Sequence, residues 1–128
     1  MTALLLDTHV LLWWLADDAK LGSVARSHIT DSASVVYVSA VSIWEAAIKR
    51  AAGRLATPDG LADEVDDVGF ERLSVGFDHA EQAGGLPRHH GDPFDRLLIA
   101  QAQVEGATLV TSDRRIEAYD VTRLHAGT

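Results

Sequence analysis

The sequence predicts an α/β domain of three layers, with a central parallel sheet flanked by helices, and three observations predict it. Short apolar runs of strand length alternate with longer helix-like segments, and strands joined through helices pair in parallel by right-handed crossovers. The chain has 128 residues, the size of one ordinary domain. Its residues are 47% hydrophobic and 23% charged, enough for a full core, and only 6% aromatic, a mix that suits helices packed on a sheet.

Each element has a local reason. Ala3 to Leu6 is a buried strand, and Asp7-Thr8 then opens a helix through Leu11, Leu12 and Leu15. A second short helix runs from Ser23 to Thr30. Val35 to Val38 is β-branched and aromatic, hence a strand. Ser39 or Ser42 caps the following helix, which runs through Ile43, Ala47 and Ile48 to Ala52, with Gly53 as its C-terminal glycine. Thr57-Pro58 has the form of a cap followed by a first-turn proline, which predicts a helix over Asp59 to Val68. Arg72 to Val75 is a short strand, Asp78 to Ala83 a pair of helical turns, and Leu86 to Gly91 a loop. Asp92-Pro93 starts the clearest helix, with Leu97, Leu98, Ala100 and Ala102 inside and Gly106 at its end. Thr108 to Thr111 is a strand, Asp113 to Tyr119 a helix, and Val121 to Leu124 a last short strand. No internal repeat, low-complexity tract or linker interrupts the pattern.

Composition narrows the function. There are 11 Lys and Arg against 19 Asp and Glu, a formal net charge of −8. That argues against a broad basic face for nucleic acid, but not against a local basic groove or carboxylates gathered around a metal. The absence of cysteine removes disulfides, thiolate nucleophiles and thiolate zinc sites together, and fits a reducing cytoplasm. The apolar run Ala3 to Ala16 is broken by Asp7 and His9 and has no basic residue before it, so it reads neither as a signal peptide nor as a membrane span.

In parallel α/β sheets, sites form beyond the carboxyl ends of the strands. Four acids fall there. Asp7 follows the first strand, Glu45 lies in the first turn of the helix after the second, Asp95 in the first turn of the Pro93 helix, and Asp113 after the Thr108 strand. Each also fits a cap: Asp7 and Asp113 as N-caps, Ser42 with Glu45 as a capping box, and Asp92 with Asp95 as a cap and a first-turn acid. Brought close together, such acids repel and raise one another's pKa, which a hard cation such as Mg²⁺ or Mn²⁺ relieves. With no P-loop, no G-x-S-x-G and no H-E-x-x-H, metal-activated water is the chemistry left standing.

Leu6-Asp7-Thr8, the Ser39-to-Glu45 run SAVSIWE, the His90-to-Ala102 run HGDPFDRLLIAQA, and Leu109-Val110-Thr111-Ser112-Asp113 occur in that order. Together they resemble the PIN domain, in particular the VapC-type toxin ribonucleases of type II toxin–antitoxin systems. The resemblance covers essentially the whole chain, and Asp-Pro-Phe-Asp-Arg with its following helix is its most specific part. It implies a single PIN domain over residues 1–128 and an acidic triad of Asp7, Glu45 and Asp95 with Asp113 as a fourth, more variable member. It further implies Mg²⁺- or Mn²⁺-dependent hydrolysis of RNA phosphodiester bonds, a homodimer, and a cognate VapB-like antitoxin that blocks the acidic pocket, with the possibility of a larger toxin–antitoxin assembly. Asp92 is expected as a helix cap.

Arg96, Arg114 and Arg115 flank the acids and are candidates for bidentate phosphate contact, with Arg96 as the residue expected to bind substrate. His89 and His90, adjacent in a loop, are expected to be solvent-exposed. Trp13 and Trp14 are expected in the core, or one of them in a dimer interface; Trp44 is also of a type that stacks on bases. Three other readings stay open. A dehalogenase-type, Mg²⁺-dependent phosphatase expects a second Asp two residues after the first, where His9 stands. A phospho-receiver domain expects an adjacent acid pair and a late lysine, and no Lys follows Lys49. A catalytically silent PIN-like binding module is the third alternative.

Overall fold

The computed structural model describes residues 2–128. Strands β1 (Thr2–Leu6), β2 (Ser34–Ser39), β3 (Glu71–Leu73), β4 (Thr108–Thr111) and β5 (Arg123–His125) form one sheet in the order β3-β2-β1-β4-β5. All four pairings are parallel, with Leu5 opposite Tyr37 on one side and Leu109 on the other. The helices are α1 (Thr8–Leu15), α2 (Ser23–Thr30), α3 (Ala40–Ala51), α4 (Leu61–Asp67), α5 (Phe77–Gly84) and α6 (Pro93–Glu105).

The period of two along the strands divides the core. Leu4 and Leu6 of β1, with Val36, Val38 and Val110, face a cluster completed by Val10 and Leu11 of α1, Ala25 and Ile29 of α2, and Leu61 and Val65 of α4. Leu5 and Leu109 face the opposite way, against Leu98, Ile99 and Ala102 of α6. The central strands are thus buried on both faces, which is why they read as continuous apolar runs. Trp13 and Trp14 both pack partly buried against the first cluster, Trp14 beside Phe70 with ring centroids 5.9 Å apart. Among the described residues, no helix is long and apolar enough to cross a membrane.

Several local expectations shift. The helix expected over Asp59 to Val68 runs only over Leu61–Asp67, because Gly60 adopts φ 69°, a left-handed conformation that cannot continue a helix back to Pro58. Ser39, not Ser42, caps α3, its hydroxyl accepting from Val41 N–H, so Glu45 falls in the second turn and no Ser42–Glu45 capping box forms. The segment after Asp113 is a 3₁₀ helix over Arg114–Ala118. Strand β3 starts one residue early, and β5 starts two residues late, at Arg123. Gly53 follows α3 at φ 71°, as its position suggests.

The strand order places a switch point between β1 and β4. From β1 the chain proceeds outward through β2 and β3, then returns to build β4 and β5 on the other side. The crevice at the carboxyl ends of β1 and β4 is where such a sheet presents a site.

Candidate active site

Asp7 leaves β1 at that crevice, with its backbone N–H donating to Val110 O at 3.1 Å. It is both a cap and a site residue: Oδ1 accepts from Val10 N–H at 2.8 Å, at the start of α1. Glu45 reaches the crevice from α3. Its Oε1 accepts from the Thr8 hydroxyl and its Oε2 pairs with Lys49 Nζ, each at 2.5 Å. Lys49 stands four residues on, the spacing that makes helical neighbours. Asp95 comes from the first turn of α6, where Asp92 caps the helix by accepting from Phe94 N–H at 2.8 Å and Asp95 N–H at 3.3 Å. Asp113 follows β4 and caps the 3₁₀ helix through Arg115 N–H, and the Arg115 guanidinium also grips both of its oxygens.

These four acids, from four elements, line one cleft of about 130 Å³ together with Thr8, His9, Lys49, Asp92, Ser112 and Arg115. All four positions inferred from strand ends and motif resemblance therefore meet in space. A larger groove of about 270 Å³ lies between α3, α4 and β3, lined by Val38, Ile43, Val65 and Leu73. Its one charged lining residue, Arg72, is paired with Asp66, whereas the smaller cleft gathers the carboxylates.

The electrostatics differ from acid to acid. Burial pushes Asp7 up from 3.8 to about 6, with Asp95 adding repulsion, while Thr111, the Val10 N–H and His9 pull the other way. Burial also raises Asp95, opposed by its His90 hydrogen bond and reinforced by the charges of Asp92 and Glu45. Asp113 is held below the usual carboxylate range, chiefly by Arg115. No ion pair to Asp7 forms among the described residues. A cluster of oxygen donors in which buried Asp7 has no cationic partner fits a hard divalent cation such as Mg²⁺ or Mn²⁺. Asp7, Glu45, Asp95 and Asp113 are the residues that would hold it.

Two expectations change at this site. His89 is exposed as expected, but the side chain of His90 is only 2% exposed. His90 Nε2 lies 2.7 Å from Asp95 Oδ2 and 3.3 Å from Asp113 Oδ2, so one polar atom of each of the three residues falls within a 4.8 Å span. The only sequence signal was its spacing of five residues before Asp95. Arg96 does not offer its guanidinium to the cleft. It donates to Ala83 O at 3.0 Å, Leu86 O at 2.9 Å and Pro87 O at 2.9 Å, with longer contacts to His90 O and Tyr119 Oη. The expected phosphate clamp is thus a brace for the 86–91 loop, and the cations that line the cleft are Lys49 and Arg115.

Comparison with known proteins adds an independent line. A family model described as PIN domain matches residues 4–121. Ribonuclease VapC22 of Mycobacterium tuberculosis is 39% identical over 127 residues, covering 93% of each chain. VapBC2 from Rickettsia felis, solved bound to a DNA fragment from its promoter, superposes with a TM-score of 0.69 at 14% identity, over 96% of this chain and 98% of that one. VapBC-5 from Mycobacterium tuberculosis gives 0.64 at 22% identity, over 97% of this chain and 100% of that one. The two solved structures share the fold.

Proposed function

We propose that this chain, which belongs to the PIN-domain family, acts in the cytoplasm as a VapC-type toxin, a ribonuclease dependent on Mg²⁺ or Mn²⁺ and silenced by a cognate antitoxin. The observation that carries the reading is the convergence of Asp7, Glu45, Asp95 and Asp113, from four separate elements, on one cleft. A divalent ion bound there supplies Lewis-acid stabilisation of a phosphoryl group and acidifies an attacking water.

The chain's own residues supply the rest. The Val10 N–H fixes Asp7, and the Thr8 hydroxyl with Lys49 fixes Glu45, so that the carboxylates are oriented before any ligand arrives. Lys49 and Arg115 line the same cleft and meet the charge of an RNA phosphate. With a net charge of −8 elsewhere opposing a polyanion, contact is local. The antitoxin is expected to be of the VapB kind and to reach the acids with an Arg or Lys, competing with the cation. Trp44 and Ile48, exposed one turn apart on α3, supply apolar surface for a homodimer.

The test is cleavage of a single-stranded RNA by the purified chain. The expected result is no cleavage after chelation, recovery with Mg²⁺ or Mn²⁺, suppression by the antitoxin encoded beside it, and a shallow dependence of RNA affinity on salt, reflecting few phosphate contacts. Cleavage indifferent to chelation, or a metal-loaded protein that leaves RNA intact, would overturn the reading.

A further inference from the structure

We propose that His90 is a positioning residue of the cleft, a hydrogen-bond donor that orients Asp95 beside Asp113, and not itself a ligand of the cation. The inference rests on the metal-dependent reading of the cleft and adds to it a division of labour between the imidazole and the acids.

Both ring nitrogens are accounted for. Nδ1 faces the backbone N–H of Asp92 at 3.4 Å, and a donor on that side requires Nδ1 to present its lone pair. The hydrogen of a neutral ring then sits on Nε2, where Asp95 Oδ2 accepts it at 2.7 Å, with Asp113 Oδ2 nearby at 3.3 Å. For Nε2 to give a lone pair to a cation, the hydrogen would have to move to Nδ1 and oppose the Asp92 N–H, donor against donor. That N–H belongs to Asp92, whose carboxylate caps α6, so the residue that starts the Asp95 helix also faces the ring and sets its tautomer.

The residue is also held at its backbone. The backbone N–H of His90 donates to Tyr119 Oη at 2.9 Å, and that hydroxyl donates to Pro87 O at 2.8 Å. Buried and anchored, His90 fixes one oxygen of Asp95, which arrives from α6, and keeps it beside Asp113, which arrives from the end of β4 and is held by Arg115. Partners of this kind orient metal-binding carboxylates and typically matter roughly 10–100-fold in affinity or activity.

The test compares His90→Leu, which removes the donor, with His90→Gln, which places an amide N–H at similar reach, beside Asp95→Asn as a reference. Mn²⁺ affinity is read from the electron paramagnetic resonance of the free ion, and kcat and KM are measured on a single-stranded RNA. We expect His90→Leu to lose about 10–100-fold in Mn²⁺ affinity and to lower kcat with KM for RNA little changed, and His90→Gln to recover most of both. Wild-type affinity in His90→Leu, with Asp95→Asn impaired, would overturn the role of His90 alone. Equal impairment of the Leu and Gln variants would overturn the donor role. Wild-type affinity in Asp95→Asn would overturn the metal reading beneath it. Should His90→Leu fail to fold, heteronuclear NMR of the wild-type imidazole in excess Mg²⁺ decides: a proton retained on Nε2 supports the proposal, and its loss overturns it.

Discussion

Asp7→Asn is expected to make the metal-free protein more stable and to abolish most of its cleavage activity. Asn caps a helix about as well as Asp, so the contact with the Val10 N–H survives the change. What disappears is a buried charge. Asp7 is raised by burial from 3.8 to about 6, so the folded state holds its proton more tightly than the unfolded chain does. The stability this group contributes is fully present below about pH 4 and is lost as pH rises through about 6, a linkage of roughly 3 kcal/mol by pH 7. The Asn variant has no such loss. Its metal-free melting temperature at pH 7 should exceed that of the wild type by a few degrees to about 10 °C, with the difference shrinking toward pH 4. Added Mg²⁺ should stabilise the wild type by mass action and the variant much less. Cleavage should fall by about 100-fold or more, because the group that positions the cation is gone. Melting curves at two pH values, with and without metal, check the first part, and an RNA cleavage assay checks the second. A slightly lower melting point with full activity would mean that Asp7 is a helix cap and nothing else.

Arg96→Ala is expected to be among the most destabilising single changes at the margin of the site, and its effect should not resemble the loss of a substrate contact. The guanidinium serves three carbonyls, those of Ala83, Leu86 and Pro87. Pro87 O also accepts from Tyr119 Oη and Ala83 O from the Leu86 N–H at 3.4 Å, whereas Leu86 O accepts only from Arg96 among the described residues. Ala83 lies in the last turn of α5, whose carbonyls lack helical partners. Hydrogen bonds to a charged donor contribute about 1.5–3 kcal/mol each, and the Leu86 carbonyl loses its donor altogether, so about 3 kcal/mol is expected. Arg96→Lys should recover little, since one ammonium cannot span carbonyls set out for a planar fork. The destabilised loop carries His90, so Mn²⁺ affinity should weaken while the protein is still folded. Denaturant unfolding of both variants, beside RNA binding at low temperature, checks this. An unchanged midpoint with weakened RNA binding would restore the phosphate-clamp role that its sequence position suggests.

The contrast between Asp7 and Arg96 shows what the sequence makes legible. Asp7 and Asp113 each follow a short apolar strand, and Asp95 sits in the first turn of a helix marked by Asp92-Pro93, so strand ends and caps locate three of the acids to within a turn. The parallel sheet then brings them together at the crevice between β1 and β4. Glu45 was legible as a residue but not in its position, because the β-branched run and Ser39 together start α3 earlier than Ser42 would. The rest depended on contacts far apart in the chain. His90 is buried by Tyr119, 29 residues away, and by carboxylates from two other elements, none of which a pair of loop histidines announces. The orientation of Arg96 depends on where α5 ends and how the 86–91 loop folds back over it, which local periodicity does not encode. At Gly60 the Thr57-Pro58 signature had the right chemistry for a helix start, but the left-handed turn at the glycine delayed the start by two residues.

Calorimetric titration of Mn²⁺ into the wild type and into Asp7→Asn, Glu45→Gln, Asp95→Asn, Asp113→Asn and Asp92→Asn tests most directly whether four acids form one cation site. The first four variants should each weaken binding by about tenfold or more, with Glu45 and Asp113 giving the smaller losses because Lys49 and Arg115 already pair with them. Asp92→Asn keeps the cap and should stay near the wild-type affinity. Wild-type affinity in all four, or a loss at Asp92 as large as theirs, would contradict the account.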